Sequence, residues 1–380
     1  MSFEQRLTRF RQAVAGKADL VYFPISADLQ YLAGVTRDLP SFGAIVYPGA
    51  WLEGLWLPVE AEPVLVLTRM TADFHAPLTQ QLDVRMLADR ADPAAMLGDL
   101  LKRISLPPSP RIAVGSQTTA ETLLNLQAMY PGVQFSSASD LLAPQRVIKS
   151  ADEISSLQHA GQITESAFRD VLAVLRHGMT ELELVIEVDY QLRAHGSLGS
   201  SFNTALYCVG PDHELVFGQH AGSWHRQLDP PISILFDFGA IYQGYCYDFG
   251  RTVIFGEPDP RAVEVHALVM RSQAAGIAAL QAGKMTAGEV DATARQVISA
   301  AGYGEAFRHR LGHGIGLDVH EAPFLTGQDR TVLQQGMCFT VEPSILIEDG
   351  LSARVEDIVV VGADGGVPLT SGFQDLIVVD

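Results

Sequence analysis

Cysteine is scarce in this chain, and so is positive charge. The 380 residues hold three cysteines, Cys208, Cys246 and Cys338. Their odd number and wide spacing exclude a disulfide framework and suit reduced, buried thiols in a cytosolic setting. Lys and Arg total 26 against 44 Asp and Glu, a formal net charge of −18. Such a chain repels a phosphate backbone at long range, so nucleic acid is not an expected partner. No segment approaches the ~18 uninterrupted apolar residues of a membrane span. The opening MSFEQRLTRF brings charges at once, and no apolar stretch of signal-peptide length follows. A cytoplasmic location with no membrane contact is therefore expected. What the chain does have is apolar bulk, with 47% hydrophobic and only 18% charged residues. That composition is globular, and the length suits two to three domains.

Residues 1–145 read as an α/β domain, with an amphipathic helix from Phe3 to Ala15 and strand-like runs LVYFP, FGAIVYP and PVLVLT. The text then changes to PQRVIKSADEISSL, where Ser150 and Glu153 have the spacing of a capping box. The domain boundary is placed there, giving a second domain over 146–380. Long helical patterns at 151–176, 180–195, 261–282 and 286–302 each close on a glycine or a glycine-containing turn. Two strand-rich blocks, 232–255 and 337–361, follow the helix pairs. This order predicts an α+β domain built from two related halves.

Each strand block hides acids among apolar residues. Asp237 lies in ISILFDFGA, and an unpartnered carboxylate buried there costs several kcal/mol. A two-residue turn at Tyr242 and Gln243 would set Asp248 directly opposite Asp237. In the second block, a three-residue turn of Glu348, Asp349 and Gly350 would set Glu342 opposite Glu356. Like charges opposed across a sheet are destabilising, and a shared proton or a bound cation relieves them. Two divalent cations would balance four carboxylates. Oxygen-rich ligation suits manganese, and one imidazole widens the choice to cobalt, zinc or iron. LGHGIGLDVHEAP supplies His313 and His320. Its glycines have no following lysine, so it is not a phosphate loop.

Together, FDFGAIYQGYCYDFGRT, GHGIGLDVHE, GMCFTVEP and ARVEDIVVV resemble the signature blocks of the pita-bread metallopeptidases. That family holds methionine aminopeptidase, aminopeptidase P and prolidase, with creatinase as a metal-free relative. The resemblance implies a pita-bread catalytic domain with pseudo-twofold halves. It also implies a dinuclear metal site, with Asp237, Asp248, His313, Glu342 and Glu356 as ligands and Asp248 and Glu356 bridging. Glu342 would take the proton from the metal-activated water, and His220 and His320 would stabilise the developing charge on the substrate. His309 would stand on the substrate side, and Arg354 would support the site. ISADLQYLAGV resembles the start of the accessory domain of prolidases, aminopeptidases P and creatinases. This favours an Xaa-Pro dipeptidase or aminopeptidase acting on small peptides, and a homodimer. The alternative is the same dinuclear centre acting on a non-peptide, osmolyte-like molecule. Prolidases that grip a dipeptide's terminal carboxylate place an arginine where this chain has Phe324, and Arg330 is a candidate substitute.

Overall fold

A computed structural model describes residues 2–37, 48–75, 82–211, 213–216, 224–347, 352–370 and 372–380. His220, the strand expected over FGAIVYP and the turn at 348–350 lie wholly or largely outside the described residues. The chain divides into two units, Met1–Arg146 and Val147–Asp380.

The first unit opens with α1 (Phe3–Val14), which Ser2 and Gln5 cap reciprocally. It continues with β1 (Leu20–Phe23), α2 (Ala27–Ala33), β2 (Gly54–Pro58), β3 (Val64–Thr68), α3 (Arg69–His75) and β4 (Asp83–Leu87). After these come α4 (Pro93–Ile104), β5 (Arg111–Val114), α5 (Ala120–Met129), β6 (Gln134–Ser137) and α6 (Ala138–Val147). The strands form one mixed sheet in the order β4-β3-β2-β1-β5-β6. β1 and β2, buried along their whole length, read as apolar runs because both faces are covered. Leu97, Leu100 and Leu101 of α4 pack with Tyr22, Trp56 and Val66 of the sheet.

In the second unit, α7 (Ala151–Val174) and α8 (Glu181–Ala194) precede β7 (Ala205–Val209), β8 (Ile232–Phe238), β9 (Ile241–Tyr242), β10 (Tyr245–Cys246) and β11 (Phe249–Phe255). Then α9 (Pro260–Ala279) and α10 (Ala287–Ala300) precede β12 (Gly312–Gly314), β13 (Glu321–Leu325), β14 (Cys338–Val341), β15 (Ser344–Leu346), β16 (Ser352–Arg354), β17 (Asp357–Val361), β18 (Gly366–Pro368) and β19 (Ile377–Val379). The capping box at Ser150 and Glu153 is present, and Thr180 with Glu183 and Thr286 with Glu289 repeat it. Each half is thus a helix pair followed by antiparallel strands. In the first half β11, β8 and β7 are antiparallel, and β19 from the far end of the sequence joins them parallel to β11, while the second half has the sheet β13-β12-β14-β17-β18. Phe168 of α7 packs on Phe236, Phe238 and Phe249 of the first sheet. Val265, Leu268 and Val269 of α9 share a core with Val290, Ala294 and Ile298 of α10 and with Phe339, Val341 and Val359 of the second sheet.

The first hairpin departs from the expected register. Its turn is Gln243 and Gly244, both at positive φ (51° and 83°), as a two-residue hairpin turn that matches the strand twist requires. Tyr242 pairs with Tyr245, and Asp237 consequently pairs with Gly250. Asp248 lies two residues from Gly250 and reaches Asp237 diagonally rather than head-on. In the second hairpin, Val341 pairs with Asp357 and Ser344 with Arg354. Both flanking ladders therefore carry the register in which Glu342 and Glu356 are opposed. An antiparallel bridge between Gly250 and Glu356 joins the two hairpins.

Candidate metal centre

That bridge brings acids from both halves to one place. Ligand-capable atoms of Asp237, Asp248 and Glu356 lie within 4.8 Å of one another, and so do those of His313, Glu342 and Glu356. Glu356 belongs to both sets, so the five expected ligands form one cluster. A further set of the same span joins Asp248, His313 and His320. Asp248, His313, Glu342 and Glu356 are all buried.

Neighbouring groups aim these side chains. The Nδ1–H of His313 donates to the Gly314 carbonyl at 2.9 Å. This fixes the tautomer and turns Nε2 toward Asp248 Oδ2 and Glu342 Oε1, each at 3.5 Å. Thr340 ties the two strands of ligands together. Its hydroxyl accepts from the His313 backbone N–H at 3.0 Å and donates to Glu342 at 3.2 Å. Arg354 donates to Asp237 Oδ2 at 2.7 Å and to Glu342 Oε2.

One guanidinium does not neutralise four buried carboxylates, and the surplus charge shows in their proton affinities. Burial, against the pull of Arg354 and with the repulsion of Asp248 and Glu342, raises the Asp237 pKa to about 7. Burial and the charges of Asp248 and Glu342 raise that of Glu356 well above the carboxylate range. Burial also opposes ionisation of Glu342, but Arg354, His313 and His309 outweigh it and lower its pKa. Desolvation works against a charged His313, yet Asp248, which accepts from its protonated ring, and the charge of Glu342 raise its pKa overall. Asp248 Oδ1 and both carboxylate oxygens of Glu356 are closed off from water and accept no hydrogen bond, with Arg354 Nη2 3.2 Å from Glu356 Oε2 as an ion-pair partner. Unsatisfied buried oxygens facing one another are the complement of bound cations. Four carboxylates with one or two imidazoles suit hard or borderline divalent metals.

A cavity of about 920 Å³ opens onto this cluster and is lined by Asp237, Asp248, His309, His313, His320, Glu342 and Arg354. His320 is exposed to it, with its ring 4.1 Å from that of His313. Burial, His313 and Arg310 lower the His320 pKa, so its ring is neutral at neutral pH. His309 also lines the cavity, but both its nitrogens are engaged. Nδ1 donates to the Arg310 carbonyl at 2.7 Å, and Nε2 accepts from the Ser344 hydroxyl at 2.6 Å. Arg330 does not line the cavity and is exposed near Glu289 instead. Sequence reasoning passed over Phe202, Arg310, Val319 and Thr326, which also line it. It missed Thr340 too, although two residues from Glu342 on one strand is a same-face position.

Residues 155–363, more than half of the sequence, match the metallopeptidase family M24. The chain belongs to that family. Residues 6–148 match the Creatinase/Prolidase N-terminal domain, so an accessory domain precedes a pita-bread domain, as the sequence motifs implied. This metallopeptidase is 33% identical over 351 residues to an Xaa-Pro dipeptidase of Lactobacillus delbrueckii subsp. lactis, covering 92% of this chain and 94% of that one. Among solved structures it is similar to a dipeptidase from Pyrococcus horikoshii OT3, with TM-score 0.84 and 29% identity over 98% and 100% of the two chains. A prolidase from Thermococcus sibiricus gives TM-score 0.86 and 26% identity over the full length of both.

Proposed function

We propose that this metallopeptidase is an exopeptidase that cleaves the Xaa-Pro bond of dipeptides or of short peptide N-termini. The observation that carries the reading is the convergence of Asp237, Asp248, His313, Glu342 and Glu356 in one cluster, four of them lining one cavity, with buried carboxylate oxygens that accept no hydrogen bond. These five would hold two divalent ions, with manganese the favoured metal. When bound, such a pair lowers the pKa of a water held at the site and polarises the scissile carbonyl.

The chain's own groups do the rest. Glu342, which keeps a low pKa and faces both His313 and Arg354, accepts the proton of the attacking water and hands it to the departing proline nitrogen. Neutral His320 donates a hydrogen bond to the carbonyl oxygen as negative charge builds there. By family resemblance, His220 is assigned the same charge-stabilising role. His309, locked by Ser344 and Arg310, shapes the substrate wall. Arg354 holds Asp237 and Glu342 at a fixed separation. Family likeness supports a homodimer in the cytoplasm.

Elemental analysis alongside hydrolysis of an Xaa-Pro panel in manganese or cobalt tests the reading. The wild type is expected to carry metal and to cleave the panel. Asp248→Ala is expected to lose both while keeping its circular dichroism spectrum. A metal-loaded wild type that leaves the whole panel intact would overturn it.

A further inference from the structure

A buried ion pair of the second unit belongs neither to the ligand set nor to the cavity lining. Lys149 Nζ stands 3.0 Å from Glu321 Oε2, with the two side chains 2% and 8% exposed. Desolvation cancels most of the attraction between two buried charges, so such a pair adds little stability over apolar residues of the same volume. What it supplies is direction, because a charge sealed from water holds the groups that satisfy it in one arrangement.

Glu321 follows His320 and opens β13, where it pairs with Gly314, the neighbour of His313. The loop of residues 315–320 is wound around its carboxylate. Oε1 accepts from the Asp318 backbone N–H at 3.1 Å, and a Cβ at Gly316 would stand only 2.8 Å from the same oxygen. The Gly316 N–H donates to the Asp318 carbonyl at 3.0 Å, and the Gly316 carbonyl accepts from the N–H of Cys246, two residues before Asp248, at 2.8 Å. Lys149 reaches the carboxylate from a fixed base, since its own backbone N–H donates to the Gly336 carbonyl at 2.9 Å and the next residue, Ser150, caps α7. One oxygen of Glu321 thus holds the loop, and the other is held by Lys149.

We propose that Lys149 and Glu321 are positioning residues that aim His320 at the substrate carbonyl. The assignment rests on the peptidase reading, in which His320 donates to that oxygen, and names what orients the donor. Among the described residues the His320 ring makes no hydrogen bond, and its one ring contact is with His313 at 4.1 Å. Its direction therefore comes from the backbone it stands on. Without Lys149 the Glu321 carboxylate is left buried with no counter-charge, which draws it toward water and loosens the loop. A shift of about 1 Å in a catalytic group costs on the order of 100-fold in rate.

The test measures Ala-Pro hydrolysis by the metal-loaded wild type, Lys149→Met, His320→Ala and the double variant, with metal content alongside. Lys149→Met is expected to lose roughly 10- to 100-fold in kcat, with KM within about twofold of the wild type and the metal complement kept. In the His320→Ala background the same substitution should cost less than about twofold, because the side chain it orients is gone. An equal loss in both backgrounds would overturn the assignment, as would a loss that tracks the metal content. On metal-free protein with labelled histidine, the NOE between the His313 and His320 rings should be present in the wild type and vanish in Lys149→Met, and its persistence would also overturn the assignment. Should Lys149→Met not fold, Lys149→Met with Glu321→Leu, which replaces both charges by apolar groups, takes its place in every measurement with the same expected results. A wild type that binds metal but cleaves no Xaa-Pro peptide would sink the peptidase reading alone, and the ring contact would still decide the positioning.

Discussion

The side chain of Glu356 lies against the bare Cα of Gly250. A Cβ at Gly250 would stand 2.9 Å from the Cβ of Glu356 and 3.0 Å from its Oε2. Gly250 is also the residue paired with Asp237, so the missing side chain lets an acid of one hairpin reach those of the other. Gly250→Ala is expected to leave the fold in place but to push Glu356 out of the cluster. Metal affinity should fall roughly 10- to 100-fold, the usual cost of disturbing a ligand's support. Competition with a chromophoric chelator measures this, and unchanged affinity would show that the close approach is dispensable.

Arg251 and Asp357 flank that contact and are each 1% exposed, with a 2.6 Å ion pair between them. Arg251 also donates to the carbonyls of Gly250, Glu356, Gly372 and Phe373, which occupies all five of its N–H groups. Asp357→Ala leaves a buried cation without its counter-charge and should cost about 3–5 kcal/mol in urea unfolding. A loss below about 1 kcal/mol would mean that the carbonyls alone satisfy Arg251.

Metal uptake should release protons. In the metal-free protein, burial and mutual repulsion raise Asp237 to about 7 and Glu356 well above its ordinary value. Ligation requires the charged forms, so affinity should rise with pH through the neutral range. Calorimetric titration in two buffers of different ionisation enthalpy counts the protons. At pH 6.5 at least one should leave per protein, and a count of zero would contradict the raised pKa values.

His266 of α9 gives the folded protein an acid-sensitive element away from the metal cluster. Burial, with the nearby positive charge of Arg251, lowers its pKa to about 4 from the ordinary 6.5. Between those values the unfolded chain binds a proton that the folded one refuses, so stability falls as pH drops from about 6.5 to about 4. The full effect is about 3 kcal/mol, with about 2 kcal/mol already lost by pH 5. The difference in urea midpoint between pH 7.5 and pH 5 should shrink in His266→Gln. An unchanged difference would place the acid sensitivity elsewhere.

Local chemistry was readable from the chain because its signals are short-range. Capping boxes at Ser150 and Glu153, apolar strands interrupted by acids, and the glycine-histidine block each depend on neighbours within a few residues. The family likeness carried by those blocks agreed with the matches to the M24 family and to the accessory domain. The Asp237 register was misread by one step at the turn. Gln243 and Gly244, not Tyr242 and Gln243, take the positive φ angles, and a non-glycine residue in that conformation leaves little trace in composition.

Sequence by itself determined the helix pairs, the strand blocks and the four acids hidden in apolar strands, because periodicity and burial cost act along the chain, and the family resemblance of its motifs completed the five ligand candidates with His313. Tertiary structure alone decided that Glu356 crosses to Asp237 over a glycine and that Arg354 is shared among three acids, Asp237, Glu342 and Glu356. It alone paired Lys149 with Glu321 while placing Arg330 outside the cavity. Those outcomes depend on which distant segments meet, and on how one packed site divides its few cations among many carboxylates.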